Sequence, residues 1–256
     1  MQIPSTGQEQ EVAPRGEVEG CDLVMALGGD GTTLAALRAA APIDRPVLGV
    51  ACGSLGALTA VTADRLDEAL DRVARGDWTP RRLPALIVER DGGSLTAMND
   101  LVLVRAAAGQ VMLEVEVDGE LFIRFAGDGL VIATPMGSSA YTMAAGGPVL
   151  APSIDSMVLT PLAAHGGSCP PLVVGPSSAV RLTIEPGYYG ARIELDGHVQ
   201  ELEQPTLTMS WLADYATLVA FDGGETFLGG LRRRRILMDS PRVLARDDRA
   251  PVERTS

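Results

Sequence analysis

The 256-residue sequence contains no lysine: all 21 of its basic residues are arginine, against 33 aspartates and glutamates, for a formal net charge of −12. Such a chain has no surplus of cations to displace phosphate counterions, which argues against nonspecific nucleic-acid binding. The one basic run, Arg232 to Arg235, reads either as a solvated helix end or as an anion or subunit contact. The acidic, lysine-free composition fits a high-salt cytoplasm or GC-rich coding. Cysteine is scarce too. Cys21, Cys52 and Cys169 are odd in number, far apart and form no CxxC pair. That excludes a disulfide framework or a zinc site and points to a reducing, cytoplasmic setting. No apolar run approaches the ~18 residues of a membrane span. The N-terminal stretch MQIPSTGQEQEVAPRGEVEG has no apolar core of a secretory signal. No membrane partner is expected.

Three common signatures are also missing. There is no GxxxxGK[ST], so no phosphate-loop lysine, and no GxGxxG. There is no GxSxG, and His165 and His198 are the only histidines, so a serine nucleophile with a histidine base has little support.

What is present is an ordinary globular composition, 46% hydrophobic and 21% charged. Residues 1–20 read as a loosely held arm. Residues 21–27 are apolar on both faces, the pattern of a short buried strand. Thr32 to Ala41 reads as a helix stopped by Pro42, and Pro46 to Val50 as a second strand. Asp64 to Arg75 is amphipathic, with Leu66, Leu70 and Val73 on one face and Gly76 closing it. Strand, helix, strand and helix at this spacing predict a Rossmann-like parallel sheet with crossover helices. This forms an abbreviated α/β lobe over residues 21–82. Beyond it strands dominate: 85–90, 100–105, 111–117, 121–125, 129–133, 157–161, 172–174, 180–184, 192–195, 207–211 and 216–220. Many short strands so spaced predict a β-sandwich lobe over residues 83–222, with Asp118-Gly119 as a hairpin turn. One helix is expected near Ser139 to Ala145 and a closing helix near 226–232. Residues 223–246 are expected to pack back on the first lobe, and residues 247–256 to fray. A ligand is expected between the lobes, at the carboxyl ends of the parallel strands.

Four stretches carry chemistry. LGGDGTTL (27–34) puts Gly28 and Gly29 directly after a strand, where the backbone can turn sharply and its amides can bind phosphate. A structural turn explains the glycines but not Asp30. GVACGSLGALT (49–59) repeats the logic, and two glycine turns at one sheet end favour a phosphate or nucleotide site. Asn99-Asp100, at a strand start, reads as an Asx turn or as a reader of hydroxyls and ring edges. GDGLVIATPMGSSAYTMAAGGP (127–148) sets Asp128 between glycines, then leads a hydroxyl-rich loop into a helix. Such a loop suits a polar, phosphorylated ligand.

Together LGGDGT, GVxxGxLGxLT, the Asn-Asp pair, DGLxxxTPxGSxAYxxxAGGP and a later DGH resemble NAD kinases, in order from residue 21 to about 222. The resemblance implies an N-terminal α/β lobe, a C-terminal β-sandwich lobe and an active site between them. It implies transfer of a phosphoryl group from ATP or polyphosphate, with Mg²⁺ on the donor phosphates, to the 2′-hydroxyl of the adenosine ribose of NAD. Asp30 would accept that hydroxyl's proton. Gly28, Gly29, Gly31 and Thr32 would shape the phosphate-facing turn, and Asn99 and Asp100 would hold the adenosine. Asp128 would face the nicotinamide side. Met136, Ser139, Ala140, Tyr141, Thr142 and Ala144 would line the dinucleotide site, and His198 would reach the nucleotide from a neighbouring subunit of a homodimer or homotetramer. The sequence departs from the family at Ala51, where asparagine is common, at Met136, where a small hydroxyl residue is usual, and at Pro170, where arginine is common. His198 often stands as glutamine. A noncatalytic NAD(P)-binding paralogue and a GGDGT-type lipid kinase are the competing readings.

Overall fold

The computed structural model describes residue 18, residues 20–90 and residues 92–247. The expected arm and the expected frayed C-terminus therefore lie almost wholly outside the described residues.

The chain opens with β1 (Val24–Gly28), α1 (Asp30–Ala40) and a 3-10 turn, Ala41–Ile43, which carries Pro42. β2 (Val47–Ala51), β3 (Val61–Thr62) and α2 (Leu66–Ala74) follow. β1 and β3 both pair parallel with β2. α1 buries Leu34, Leu37 and Ala40 with Val47 on one face of this sheet. α2 buries Leu66 and Ala69 with Leu48 and Val50 on the other. The period-2 alternation of β2 thus feeds two helices of period 3.6, as crossover connections require. β2 is buried at all five positions. β1 is not the buried strand that its apolar residues suggested. It pairs only with β2 among the described residues, and Leu27 stays 45% exposed.

β4 (Thr79–Arg90), β5 (Gly93–Ala97), β6 (Asp100–Arg105), β7 (Val111–Val117), β8 (Glu120–Gly127) and β9 (Gly129–Ala133) follow. α3 (Pro135–Gly137) then runs into a wider π-helical turn, Ser138–Thr142. β10 (Met157–Leu162), β11 (Leu172–Val174), β12 (Val180–Glu185), β13 (Ala191–Leu195), β14 (His198–Gln200) and β15 (Thr206–Ala220) complete the sheets. α4 (Phe227–Arg233) and α5 (Pro241–Asp247) close the described chain. One sheet has the order β11-β10-β9-β6-β13-β14. It packs on the β5, β4, β15, β12, β7 and β8 part of the other sheet. Leu103, Leu130, Ile132, Leu159 and Ile193 meet Leu86, Leu113, Leu182 and Met209 in one core. This is a sandwich of two inner apolar faces.

The two parts share strands. β4 runs through the expected division between residues 82 and 83. β15 pairs antiparallel with β12 and β4 in its first half, then with β4 and, parallel at Leu218 and Val47, with β2. The sequence reading had two strands here, at 207–211 and 216–220. The structure has one, because the exposed interruption is a β-bulge between Leu212 and Ala216, with Asp214 at φ 52°. The helix expected to start near Ser139 already begins at Pro135, with the Thr134 side chain accepting from Gly137 N.

Leu37 is fully buried and fastens α1, and so Asp30 at its first turn, to the sheet. Leu37→Ala should cost about 2–5 kcal/mol and lower the melting temperature by roughly 5–15 °C. A thermal melt that matches the parent would contradict this packing.

Candidate active site

Asp30 is the first residue of α1, next to Gly29 at the helix N-cap, where a carboxylate is favoured by the helix dipole. Its side chain does not point freely into solvent. Oδ2 accepts the N–H of Ala57 at 2.9 Å and Oδ1 that of Leu58 at 2.8 Å. The carboxylate lies so close to Gly56 that a Cβ there would meet Oδ1 at 2.0 Å. The first glycine turn therefore grips the second. Arg234, from the last turn of α4 onward, adds Nη1 at 3.4 Å from Oδ2. Arg81 of β4 donates to the Ala57 carbonyl at 3.1 Å. Burial pulls the Arg81 guanidinium below the ordinary arginine range, and the charge of Asp30 opposes the shift. At Gly28 (φ 159°) a side chain would strike Thr32, whereas at Gly29 and Gly31 an added Cβ would meet nothing within 4 Å. The space over those two residues is open for a ligand to approach the backbone.

A second constellation joins the Asn-Asp pair to the hydroxyl-rich loop. Thr134 Oγ1 donates to the Met98 carbonyl at 2.6 Å and Thr134 N to the Asn99 carbonyl at 2.9 Å. Gly137 sits so close that a Cβ would meet the Asn99 oxygen at 2.1 Å. From the other side, Asp196 accepts from the Met98, Asn99 and Asp100 amides at 3.0, 2.7 and 3.3 Å. Asp100 is buried, at 7% exposure. Burial, then the charges of Asp196 and Glu194, pushes its carboxyl up to about 7.

The remaining expected residues are spread more widely. Asp128 is held by Arg105 Nε at 2.6 Å, which keeps its carboxyl below the usual range. It shares a hollow with Tyr141, Ala145 and Arg192. Ala140 breaks the helical run at φ −106°, ψ −112°, and Ala140, Tyr141 and Ala144 are exposed. Ser139 Oγ donates to the Met136 carbonyl at 3.2 Å. Thr142 Oγ1 is buried without a hydrogen-bond partner among the described residues. Met136 is half-buried and packs on the cluster of Leu34, Leu37 and Met98. Ala51 is buried and Pro170 exposed. His198 lies apart, in a hollow with Arg38, Thr96 and Tyr215. The described cavities do not unite Asp30, Asp128 and His198 in one chamber.

Against this geometry, a family model described as the ATP-NAD kinase N-terminal domain matches residues 3–78, and one for the C-terminal domain matches residues 98–213. The NAD kinase of Syntrophotalea carbinolica is 35% identical over 200 residues, which are 75% of this chain and 70% of that protein. The NAD kinase of Symbiobacterium thermophilum is 38% identical over 193 residues, 72% of this chain and 68% of that one. The chain belongs to the NAD kinase family. It is a phosphotransferase that converts NAD to NADP, in a family that takes ATP as donor. The fold agrees with two solved structures, each 24% identical. Yeast NADH kinase complexed with NADH superposes with TM-score 0.74, covering 86% of this chain and 67% of that chain. The NAD kinase from Archaeoglobus fulgidus in complex with ATP gives 0.69, covering 85% and 84%.

Three residues that hold these two constellations were not picked out from sequence: Arg81, Asp196 and Arg234. Asp196 stands in the DGH triplet, whose histidine drew attention first. Arg234 lies in the basic run whose reading was left open. Nothing local marks Arg81.

The raised Asp100 carboxyl has a consequence for stability. An acid whose pKa is higher folded than unfolded burdens the fold little below about pH 4 and increasingly as pH rises through 7. Asp100 should therefore lower the stability of the fold by roughly 3 kcal/mol between pH 5 and pH 8, and the melting temperature with it. Asp100→Asn should flatten that dependence. A variant whose melting curve keeps the parental pH slope would show that Asp100 titrates normally.

Proposed function

We propose that Asp30 is the general base of the reaction and that the adenosine ribose of NAD lies over the open turn at Gly29 and Gly31. The observation that carries this reading is the grip on the Asp30 carboxylate. Each oxygen accepts one backbone N–H, at 2.9 and 2.8 Å, and keeps lone-pair capacity for another proton donor. A carboxylate so fixed is oriented before substrate arrives, which is worth more than a freely rotating one. In the step itself the ribose 2′-oxygen gives its proton to Asp30 and forms a bond to the terminal phosphorus of the donor. The bond from that phosphorus to its bridging oxygen breaks, and the electron pair leaves with ADP or with the shortened polyphosphate.

Asn99 and Asp100 directly follow Met98, which packs with α1, and would hold the adenosine. Ser139, Ala140, Tyr141, Thr142 and Ala144 would line the path from there to Asp128 and the nicotinamide end. Among the described residues no three His, Cys, Asp or Glu side chains gather as a metal cage. Mg²⁺ would enter as part of the donor substrate, carried on its phosphates, where it would spread the charge of the transferring group. ATP and polyphosphate both remain donors on this reading.

His198 lies away from Asp30, which fits a role toward a neighbouring subunit's nucleotide in a homodimer or homotetramer. Association would also cover the open edge at β1. Light scattering on the full chain that gives a monomer would remove this part. The free thiols fit a cytoplasmic setting, and no helix among the described residues is long and apolar enough to cross a membrane.

Asp30→Asn should keep NAD affinity within a few-fold and reduce kcat by about 10²–10⁴. Parental turnover in this variant would refute the base assignment.

A further inference from the structure

We propose that the cavity beside Asp30 receives the phosphate chain of the phosphoryl donor, clasped between Arg81 and Arg234. The proposal rests on the NAD-phosphorylating reading and assigns it a donor site.

The cavity has a volume of about 380 Å³, within the roughly 300–1,000 Å³ of small-molecule sites. Its walls are the second glycine turn, the end of β15, the Gly223-Gly224 turn and the start of α4, with Arg81 and Arg234 facing in. Three wall residues, Gly56, Ala57 and Arg234, also touch the Asp30 carboxylate. A group bound here therefore adjoins the atom that takes the ribose proton.

The two arginines are not satisfied by the protein. Arg81 is half-buried, and among the described residues its side chain makes one hydrogen bond, from Nη1 to the Ala57 carbonyl. No carboxylate among the described residues lies within ion-pair distance of it. A guanidinium carries five N–H donors in a planar fork suited to two oxygens of a phosphate. Four of those five are unspent on Arg81. Arg234 gives Nε to the Gly230 carbonyl at 3.1 Å and reaches Asp30 only at 3.4 Å. That is long for a charge-assisted bond, which is typically about 2.7–2.9 Å. Carboxylates do line the wall. Glu225, however, is committed to Arg233, at 2.6 and 2.9 Å. Asp222 lies where the cavity borders a hollow lined by Arg65 and Arg72. The end nearest Asp30 is thus cationic and short of anionic partners.

The arrangement also gives an order of events. A donor phosphate on Arg234 draws the guanidinium from Asp30 Oδ2. Oδ2 then keeps the Ala57 amide alone and has more capacity for the ribose hydroxyl.

The test uses the full chain with Mg²⁺ present, and measures NADP formation alongside calorimetric binding of ATP, of inorganic tripolyphosphate and of NAD. Arg81→Gln and Arg234→Gln should each raise the KM for ATP about ten-fold or more and weaken binding of whichever phosphate donor the parent binds. NAD affinity should stay within two-fold. Arg234→Lys should recover part of the loss. Arg234 lies outside the sheets, so its variant keeps the test valid if Arg81→Gln melts early. ATP bound without tripolyphosphate would mean that the nucleotide is needed. Binding of both would mean that the phosphate chain suffices. Either result supports the cavity provided binding is lost with the arginines. Donor binding and KM for ATP unchanged in both glutamine variants, or a rise confined to the KM for NAD, would overturn it. A parent chain that makes no NADP at all would sink the functional reading, while the binding data would still judge this cavity.

Discussion

The Asp30 carboxylate accepting the Ala57 and Leu58 amides is the contact on which the rest of the site depends. It joins the turn after β1 to the turn after β2, which are neighbours only because those strands are parallel and in register. Parallel pairing brings both carboxyl ends to one edge, and crossover helices then place two glycine turns side by side. Gly56 is what permits the contact, since any side chain there would occupy the carboxylate's own volume. Without this grip the two turns would be independent loops. With it, they form one rigid floor that also anchors Arg81 through the Ala57 carbonyl.

The floor must keep a constant distance from the residues on the sandwich side, and β15 provides for that. It lies in the sandwich at Met209 and beside β2 at Leu218, passing through a bulge rather than a loop. A hydrogen-bonded strand transmits position better than a linker, because it is paired on both sides of the bulge. The cleft between the parts is therefore set by sheet geometry. The second constellation is fixed just as tightly, with Asp196 below the Asn99 amide and Gly137 against its carbonyl. The raised Asp100 carboxyl follows from that packing: carboxylates from the start of β6 and the end of β13 converge where water is scarce.

Much of this was legible in the sequence, for definite reasons. Strands β6, β7, β9 and β11 came out at their observed limits: β7 alternates apolar residues with glutamates, and β6, β9 and β11 are short continuous apolar runs, the last two bounded by glycine or proline. β5 escaped notice because Gly92-Gly93-Ser94 reads as a turn, and β3 because two residues carry no period. The bulge in β15 split one strand into two, since a local period cannot tell a bulge from a loop. Motif spacing singled out Asp30, Asn99 and Asp128 as candidates. It could not locate Arg234, which meets Asp30 across 204 residues of chain, nor show that Met136 turns toward the α1 cluster. Contacts of that kind depend on the closed sheet, which no window of sequence contains.

The absence of lysine takes on meaning at this site. Each arginine around it bonds more than one oxygen or leaves donors to spare. Arg234 bridges Gly230 and Asp30, Arg233 bridges Glu225 and the Leu55 carbonyl, and Arg105 bridges Asp128 and the Ala107 carbonyl. A lysine ammonium in these places would be a compact charge on a flexible stem, able to meet one partner well. The planar guanidinium fixes a carbonyl and a carboxylate together, so it holds the backbone turn and the charge in one geometry. It can then exchange one oxygen for another without leaving its seat. In a chain with a net charge of −12, the cations near a phosphate must be held where they are needed and kept from the surrounding carboxylates. Anchoring each one through a backbone carbonyl does that, and it leaves Arg81, whose side chain makes one hydrogen bond among the described residues, to the Ala57 carbonyl, lining the cavity next to the Asp30 carboxylate.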